Sequence, residues 1–272
     1  MTAVAAPGRP ASSAFSDSVV VTWRNLKRIP RIPELAAFAI LQSVMFVLLF
    51  AFVFGGAINV PGGSYREFLM PGIFAQTLTF ASATTAIGIT DDMQKGLVDR
   101  FRSLPMARSA FLTGRTVADV VYNAGILVVL MLSGLAVGWR IRDGVLAFLA
   151  GVGIALLFAY AMSWLGVFLG QLTPTVEVAQ QVAFTAIFPI TFVSNAFVPL
   201  ESLPGWLQPV AEWNPVSVLT ASMRDFFGNT IGQAPRDTFP AEHPVLLTVI
   251  WCVAIVAVFA PLAVRRYRAS SR

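Results

Sequence analysis

The sequence predicts an all-α integral membrane protein, with six transmembrane helices, an amphipathic interfacial helix before them and short helices in two of its loops. Three observations carry this. The chain of 272 residues is 56% hydrophobic and only 12% charged, whereas a water-soluble domain carries about 25% charged residues. Its mean hydropathy is +0.73. Several apolar runs reach the roughly 20 residues that a helix needs to cross about 30 Å of hydrocarbon, where a β-barrel would show alternating segments of about ten.

Residues 1–14 are small and polar, with Pro and Gly, and bury too little apolar surface to order themselves, so a disordered cytoplasmic tail is predicted. No signal-peptide apolar core occurs before residue 33, and this N-terminus is expected to persist. From 15 to 33 the pattern changes. Val19, Val20, Trp23, Leu26 and Ile29 recur at helical spacing opposite Arg24, Lys27, Arg28 and Arg31, the signature of a basic amphipathic helix on a membrane surface.

The transmembrane domain is read as 34–264, with spans at about 35–55, 68–90, 116–138, 145–170, 176–198 and 245–264. The long connection after the fifth span is not featureless. Leu203, Trp206, Leu207, Val210 and Trp213, then Val216, Leu219, Met223, Phe226 and Phe227, recur at helical spacing between Pro204, Pro209 and Pro215. Over 199–227 this predicts two short helices at, or dipping into, the outer interface, with Trp206 and Trp213 at headgroup level. Residues 265–272 form a basic tail. No internal repeat is visible, which argues against an inverted-repeat transporter.

Charge placement supplies orientation. The N-terminal segment, the 91–115 loop and the C-terminal tail hold fourteen of the 19 Lys and Arg residues, and five (Arg66, Arg140, Arg142, Arg224 and Arg236) fall on the other side of a six-span chain. The positive-inside rule then puts both termini in the cytoplasm. The net charge of +5 is explained by these juxtamembrane clusters, and no nucleic-acid partner is expected.

Little in the chain can do covalent chemistry. Cys252 is the only cysteine and His243 the only histidine, so no intramolecular disulfide and no His-based metal site are expected. Asp91-Asp92 opens like an aspartate-rich diphosphate site but lacks a second acidic pair, and is read instead as helix-start charge. No phosphate-binding loop occurs. The middles of the spans carry no ionisable group with which to bind a driving ion. Uphill transport would therefore draw its energy from a separate, nucleotide-hydrolysing chain.

In the loop after the second span, Leu97, Phe101 and Leu104 form a short apolar stripe, flanked by Arg100 and Arg102 and stopped by Pro105. Such a greasy knob suits a groove on a partner, or a lipid surface. The run Lys95-Gly96-Leu97-Val98-Asp99-Arg100-Phe101-Arg102-Ser103-Leu104-Pro105-Met106 resembles the cytoplasmic loop of type-2 ABC exporter permeases. The block Phe188-Pro189-Ile190-Thr191-Phe192-Val193-Ser194-Asn195-Ala196-Phe197-Val198-Pro199 is similar to the daunorubicin-resistance permease branch. Leu203-Pro204-Gly205-Trp206-Leu207-Gln208-Pro209 and Asn214-Pro215-Val216-Ser217 follow it in the order that branch shows.

The resemblance implies a half-transporter without catalytic residues: two permease chains, identical or paralogous, each gripped by a separate ATPase subunit that holds the ATP and Mg. It implies export of amphiphilic drugs or lipids across a bacterial plasma membrane. Residues 93–106 would be the coupling helix, with Leu97, Arg100, Phe101, Arg102 and Leu104 in contact with the ATPase, and 15–33 the connecting helix that supports it. The 199–227 segment would close the exit, with Trp206 and Trp213 at the outer gate. A substrate path is expected along the second and fifth spans, where Gln76, Thr77, Phe80 and Thr84 face Phe188, Thr191, Phe192 and Asn195 without charge. Helix packing is the competing role for each hydroxyl among them. A polymer exporter of the same superfamily and a non-transport membrane scaffold or small intramembrane enzyme are the alternatives.

Overall fold

Helices form wherever the apolar runs lie. The computed structural model describes residues 11–28, 33–54, 64–97, 110–231 and 237–269, and among these there is no strand. The leading helix, α1 (Ala11–Arg28), is followed by α2 (Pro33–Leu49), which ends in a π-helical turn at Phe50–Phe54. Then come the long helices α3 (Tyr65–Gln94), α4 (Ala110–Ala136) and α5 (Gly144–Leu172), and the shorter α6 (Val176–Phe192). A 3-10 turn at Leu200–Ser202, α7 (Gln208–Trp213), α8 (Pro215–Phe227) and α9 (Phe239–Glu242) lead to the last long helix, α10 (Pro244–Ala269).

Among the described residues four helices are long and apolar enough to cross a bilayer: α3, α4, α5 and Pro244–Tyr267 of α10. Leu41–Val53 and α6 are apolar but shorter. Local chemistry sets several of the ends. Ser64 caps α3 by accepting from the Arg66 N–H, Thr175 caps α6 by accepting from Val178, and Asn214 caps α8 ahead of Pro215. Gly228, at a φ of 68°, closes α8 in the left-handed conformation that costs glycine nothing.

Two of these ends differ from the sequence reading. The fifth apolar run, read as 176–198, is helical only to Phe192, and the chain from 193 to 199 is irregular. Asp91 and Asp92 lie in the last turn of α3 and not at a helix start, so the N-terminal dipole does not explain them. Basic partners do: Asp91 pairs with Lys95, at the cap of the same helix, at 2.7 Å, and Asp92 with Arg115 of α4 at 3.3 Å.

The bundle is built around α3, whose side chains are buried along most of its length. Its broadest partner is α5, and small residues make that possible. A Cβ on Gly166 would lie 2.3 Å from the Ser82 carbonyl oxygen, and one on Gly170 would lie 2.4 Å from that of Ala86. The two glycines, four residues apart on one face, let the backbones touch. Thr90 fastens the same seam through its hydroxyl, to the Gly170 carbonyl and the Thr173 hydroxyl, both at 2.9 Å.

At the N-terminal end of α3 the core is aromatic. Trp139 is fully buried, meets Phe74 and Phe227 edge to face with centroids 5.4 Å away, and donates its indole N–H to Asn229 Oδ1 at 2.6 Å. At the other end Val21 of α1, Ile89 of α3, Phe111 of α4, Trp164 of α5 and Tyr267 of α10 form a second cluster. Here α1 is partly embedded. It buries Val21 and leaves Val19, Val20 and Trp23 more than half exposed, so the predicted apolar stripe faces away from the protein.

Candidate functional site

The residues proposed to line a path fall on two helices that pack side by side, α3 and α6, except Asn195, which lies in the irregular stretch just after α6. Phe80 of α3 and Phe184 of α6 meet with ring centroids 5.6 Å apart, above a small apolar cluster of Ala83, Ala86, Ala183 and Ile187. Between Glu67 and Asp91 in α3, and after Glu177 in α6, neither helix carries a charged residue. The named residues divide by exposure. Thr84 is exposed and Thr77 and Phe80 are half-buried, while Phe188 and Phe192 stack at 4.2 Å and stand 52% and 45% exposed. Gln76, Thr191 and Asn195 are buried. Thr191 turns its hydroxyl onto its own helix, donating to the Ile187 carbonyl at 2.9 Å, a packing role.

Beyond Phe192 the chain crosses over the end of α3. A Cβ on Gly72 would lie 1.9 Å from the Ala196 carbonyl oxygen, so the crossing needs glycine there. Tyr65 donates its hydroxyl to the Phe197 carbonyl at 3.1 Å. The two sequence blocks singled out above then meet in space. Asn214 Nδ2 donates to the Ile190 and Val193 carbonyls at 2.7 and 2.6 Å, satisfying the end of α6, while its Oδ1 caps α8. Ser217 accepts from the Asn195 N–H at 3.0 Å.

The residue that ties this junction together escaped the sequence reading. Arg224, counted there only as a charge on the outer side, is fully buried in α8. Its Nη2 donates to the Asn195 and Phe68 carbonyls at 2.9 Å each. One signal was available, an arginine on the apolar face of an amphipathic segment. Beside the junction lies a cavity of about 60 Å³ bordered by Phe68, Asn195, Glu201, Glu212 and Asp225. That is room for a few waters, far below the roughly 300 Å³ at which ligand pockets begin. The two indoles proposed for an outer gate both face outward. Trp206 is 76% exposed, and Trp213 is half exposed, stacks on Phe239 and accepts from the Trp251 indole through its carbonyl.

Of the residues proposed to contact an ATPase, Leu97 is half-buried just past the end of α3, where the chain turns at Gly96 with a φ of 64°. Met93 and Gln94 belong to α3 itself. Arg100, Phe101, Arg102 and Leu104 lie outside the described residues. No cluster of metal-binding side chains occurs among the described residues.

Among the described residues, four helices long and apolar enough to cross a membrane, packed with a seam between α3 and α6 that is uncharged between its ends, define a multi-pass membrane protein with the build of a permease. Comparison with known proteins supplies the family. The ABC-2 type transporter family matches residues 18–227. The chain is 30% identical to the daunorubicin resistance ABC transporter permease protein DrrB1 of Streptomyces coeruleorubidus, across 98% of this chain and 92% of that one. It is 28% identical to the probable doxorubicin resistance ABC transporter permease protein DrrC of Mycobacterium tuberculosis, across 86% and 82%. The putative transport permease ycf38 of Cyanophora paradoxa is 23% identical across 78% and 74%. The chain belongs to the ABC-2 type transporter family and is the membrane permease subunit of an ABC exporter, with ATP hydrolysed by a separate ATPase subunit.

Proposed function

We propose that this permease exports bulky, weakly polar amphiphiles, drugs or lipids, across the bacterial plasma membrane, along a path lined by α3 and α6. The observation that carries the reading is the seam between those helices, which carries no charged residue between Glu67 and Asp91 on α3 or after Glu177 on α6, and which presents Phe188 and Phe192, stacked and half exposed, on one helix and the exposed Thr84 on the other. An apolar, aromatic surface with a few hydroxyls suits substrates with large apolar bodies and few polar groups. The names of the relatives, which specify daunorubicin and doxorubicin resistance, point to the same class.

In this reading α2 with its π-helical turn, α3, α4, α5, α6 and α10 are the six spans. At 17 residues each, α2 and α6 stand at the short limit of what crosses a bilayer, about 17–25 residues. An even count keeps both termini in the cytoplasm, in accord with the fourteen basic residues placed there. Two permease chains, identical or paralogous, bring their seams together. Two ATPase copies, which hold the ATP and Mg, dock on the loops that carry Leu97, Arg100, Phe101, Arg102 and Leu104. As connecting helix, α1 supports this end by packing Val21 and Thr22 on α4, with Thr22 donating to the Gly114 carbonyl at 3.1 Å. The 199–227 segment, which holds α7 and α8, closes the opposite, outer end, with Trp206 and Trp213 at the headgroup level.

A pull-down of the tagged permease from native membranes tests the reading. An ATPase chain should co-purify, and its activity should rise with amphiphilic drugs such as doxorubicin. Phe101→Asp with Leu104→Asp should abolish that association while membrane insertion persists. Unchanged co-purification would remove the coupling assignment, and the lack of any ATPase under gentle detergent would remove the exporter reading.

A further inference from the structure

We infer that Arg115 is the positioning residue through which movement of the ATPase-docking loop reaches the transport path, by clamping together the two helices that carry that loop. The clamp is a buried ionic cluster. Arg115, in the second turn of α4, contacts Asp92 Oδ2 in the last turn of α3 through Nη1 at 3.3 Å, and Asp119 Oδ1 through Nε at 3.2 Å. Thr85 of α3 donates to the second oxygen of Asp119 at 2.8 Å. Side-chain exposure is 13% for Arg115, 2% for Asp92 and 16% for Asp119. An ordinary surface pair four residues apart on one helix is solvated and worth little, whereas this one is drawn inward and shared with a neighbouring helix.

The surroundings are shaped to hold it. The guanidinium lies against α3 where Gly88 leaves room, since a Cβ there would come within 2.2 Å of Arg115 Nη2. On the other flank α1 is fastened to the residue before Arg115 by the Thr22 bond to the Gly114 carbonyl. A planar guanidinium with fixed donor directions holds two carboxylates in one geometry. Two carboxylates without it would be buried and mutually repulsive.

The position of the cluster gives it a task. Asp92 stands just before, and Arg115 just after, the stretch between α3 and α4 that carries the docking loop, so the clamp makes the two helices one unit at the base of that stretch. A push on the loop then moves α3, the helix that lines the path, rather than being absorbed by splaying of the two helices. The inference rests on the exporter reading above, and the test separates the two.

In a Cys252→Ser background, Ser194→Cys provides a buried reporter at the far end of the path. Its labelling by a membrane-impermeant thiol reagent is measured on the complex with the co-purifying ATPase, with and without ATP, Mg and vanadate. The parent should change its labelling rate by about fivefold or more with nucleotide, a usual size for coupling between sites. Arg115→Leu should keep the ATPase bound and hydrolysing but respond by less than about twofold. The neutral triple variant Asp92→Asn, Arg115→Gln, Asp119→Asn removes the three charges of the cluster together, should insert normally, and should be equally unresponsive. A triple variant that responds like the parent overturns the clamp alone. A parent with bound ATPase that ignores nucleotide overturns the exporter reading and the clamp with it.

Discussion

The Arg224 guanidinium lies 3.7 Å over the Phe68 ring and donates through Nε and Nη2, at 3.2 and 2.9 Å, to the carbonyl oxygen of that same residue. With its further bond to the Asn195 carbonyl it joins α8, the start of α3 and the segment after α6. The charge is solvated by carbonyl dipoles and a ring face in place of water. Arg224→Ala removes all of these contacts and leaves a hollow, at a cost on the order of 3 kcal/mol. Arg224→Lys should recover less than half, because a compact ammonium cannot stack on the ring and reach both carbonyls. Thermal unfolding in detergent micelles checks this, and an alanine variant as stable as the parent would refute it.

The sequence made the helices legible and left their junctions obscure, for a physical reason. Transfer into lipid depends on each residue's own polarity, so the long apolar runs announced four long apolar helices, α3, α4, α5 and α10. Where a helix stops depends on groups remote in sequence: α6 ends at Phe192 because Asn214, on another helix, satisfies its last carbonyls. The ionic cluster was half legible. Arg115 and Asp119 are four apart on one helix, but their joining to Asp92 and Thr85 is tertiary. Gly166 and Gly170 showed the small-residue spacing that precedes close helix approach, a pattern that the charge and motif reading passed over.

Asn214 has two separable duties, and two substitutions divide them. Asn214→Ala loses both the α8 cap and the donor to the Ile190 and Val193 carbonyls, which should cost about 2 kcal/mol. Asn214→Asp keeps an acceptor for the Val216 N–H but presents a carboxylate to two carbonyl oxygens. If the duty toward α6 dominates, the aspartate variant unfolds at a temperature no higher than the alanine variant. An aspartate variant that matches the parent would show that the α8 cap alone matters.

The contact of α3 with α5 predicts a steep dependence on side-chain size at Gly166. Even Gly166→Ala places a Cβ 2.3 Å from a backbone oxygen of Ser82, which cannot swing aside as a side chain can. Overpacking of this kind costs about 1–3 kcal/mol. Gly153, on the same helix with open space where a Cβ would go, is the control. Alanine there should be neutral or slightly stabilising through helix propensity. Equal melting temperatures for the two alanine variants would contradict the close approach.

Exposure separates the path residues into those able to meet a substrate and those that hold the wall. Phe188 is half exposed and stacked on Phe192, so Phe188→Ala removes an aromatic surface that substrates could touch without disturbing the interior. It should change the rank order of resistance to a panel of amphiphiles while the amount of protein in the membrane stays constant. Thr191 is fully buried, with its hydroxyl spent on the Ile187 carbonyl. Thr191→Val, near in volume, should therefore leave the rank order unchanged and shift stability by no more than about 1 kcal/mol. A uniform fall in resistance to every compound, in step with lower protein levels, would mean that Phe188 serves assembly rather than selection. A reordering caused by Thr191→Val would mean that the wall opens during transport far enough to present this hydroxyl to the substrate.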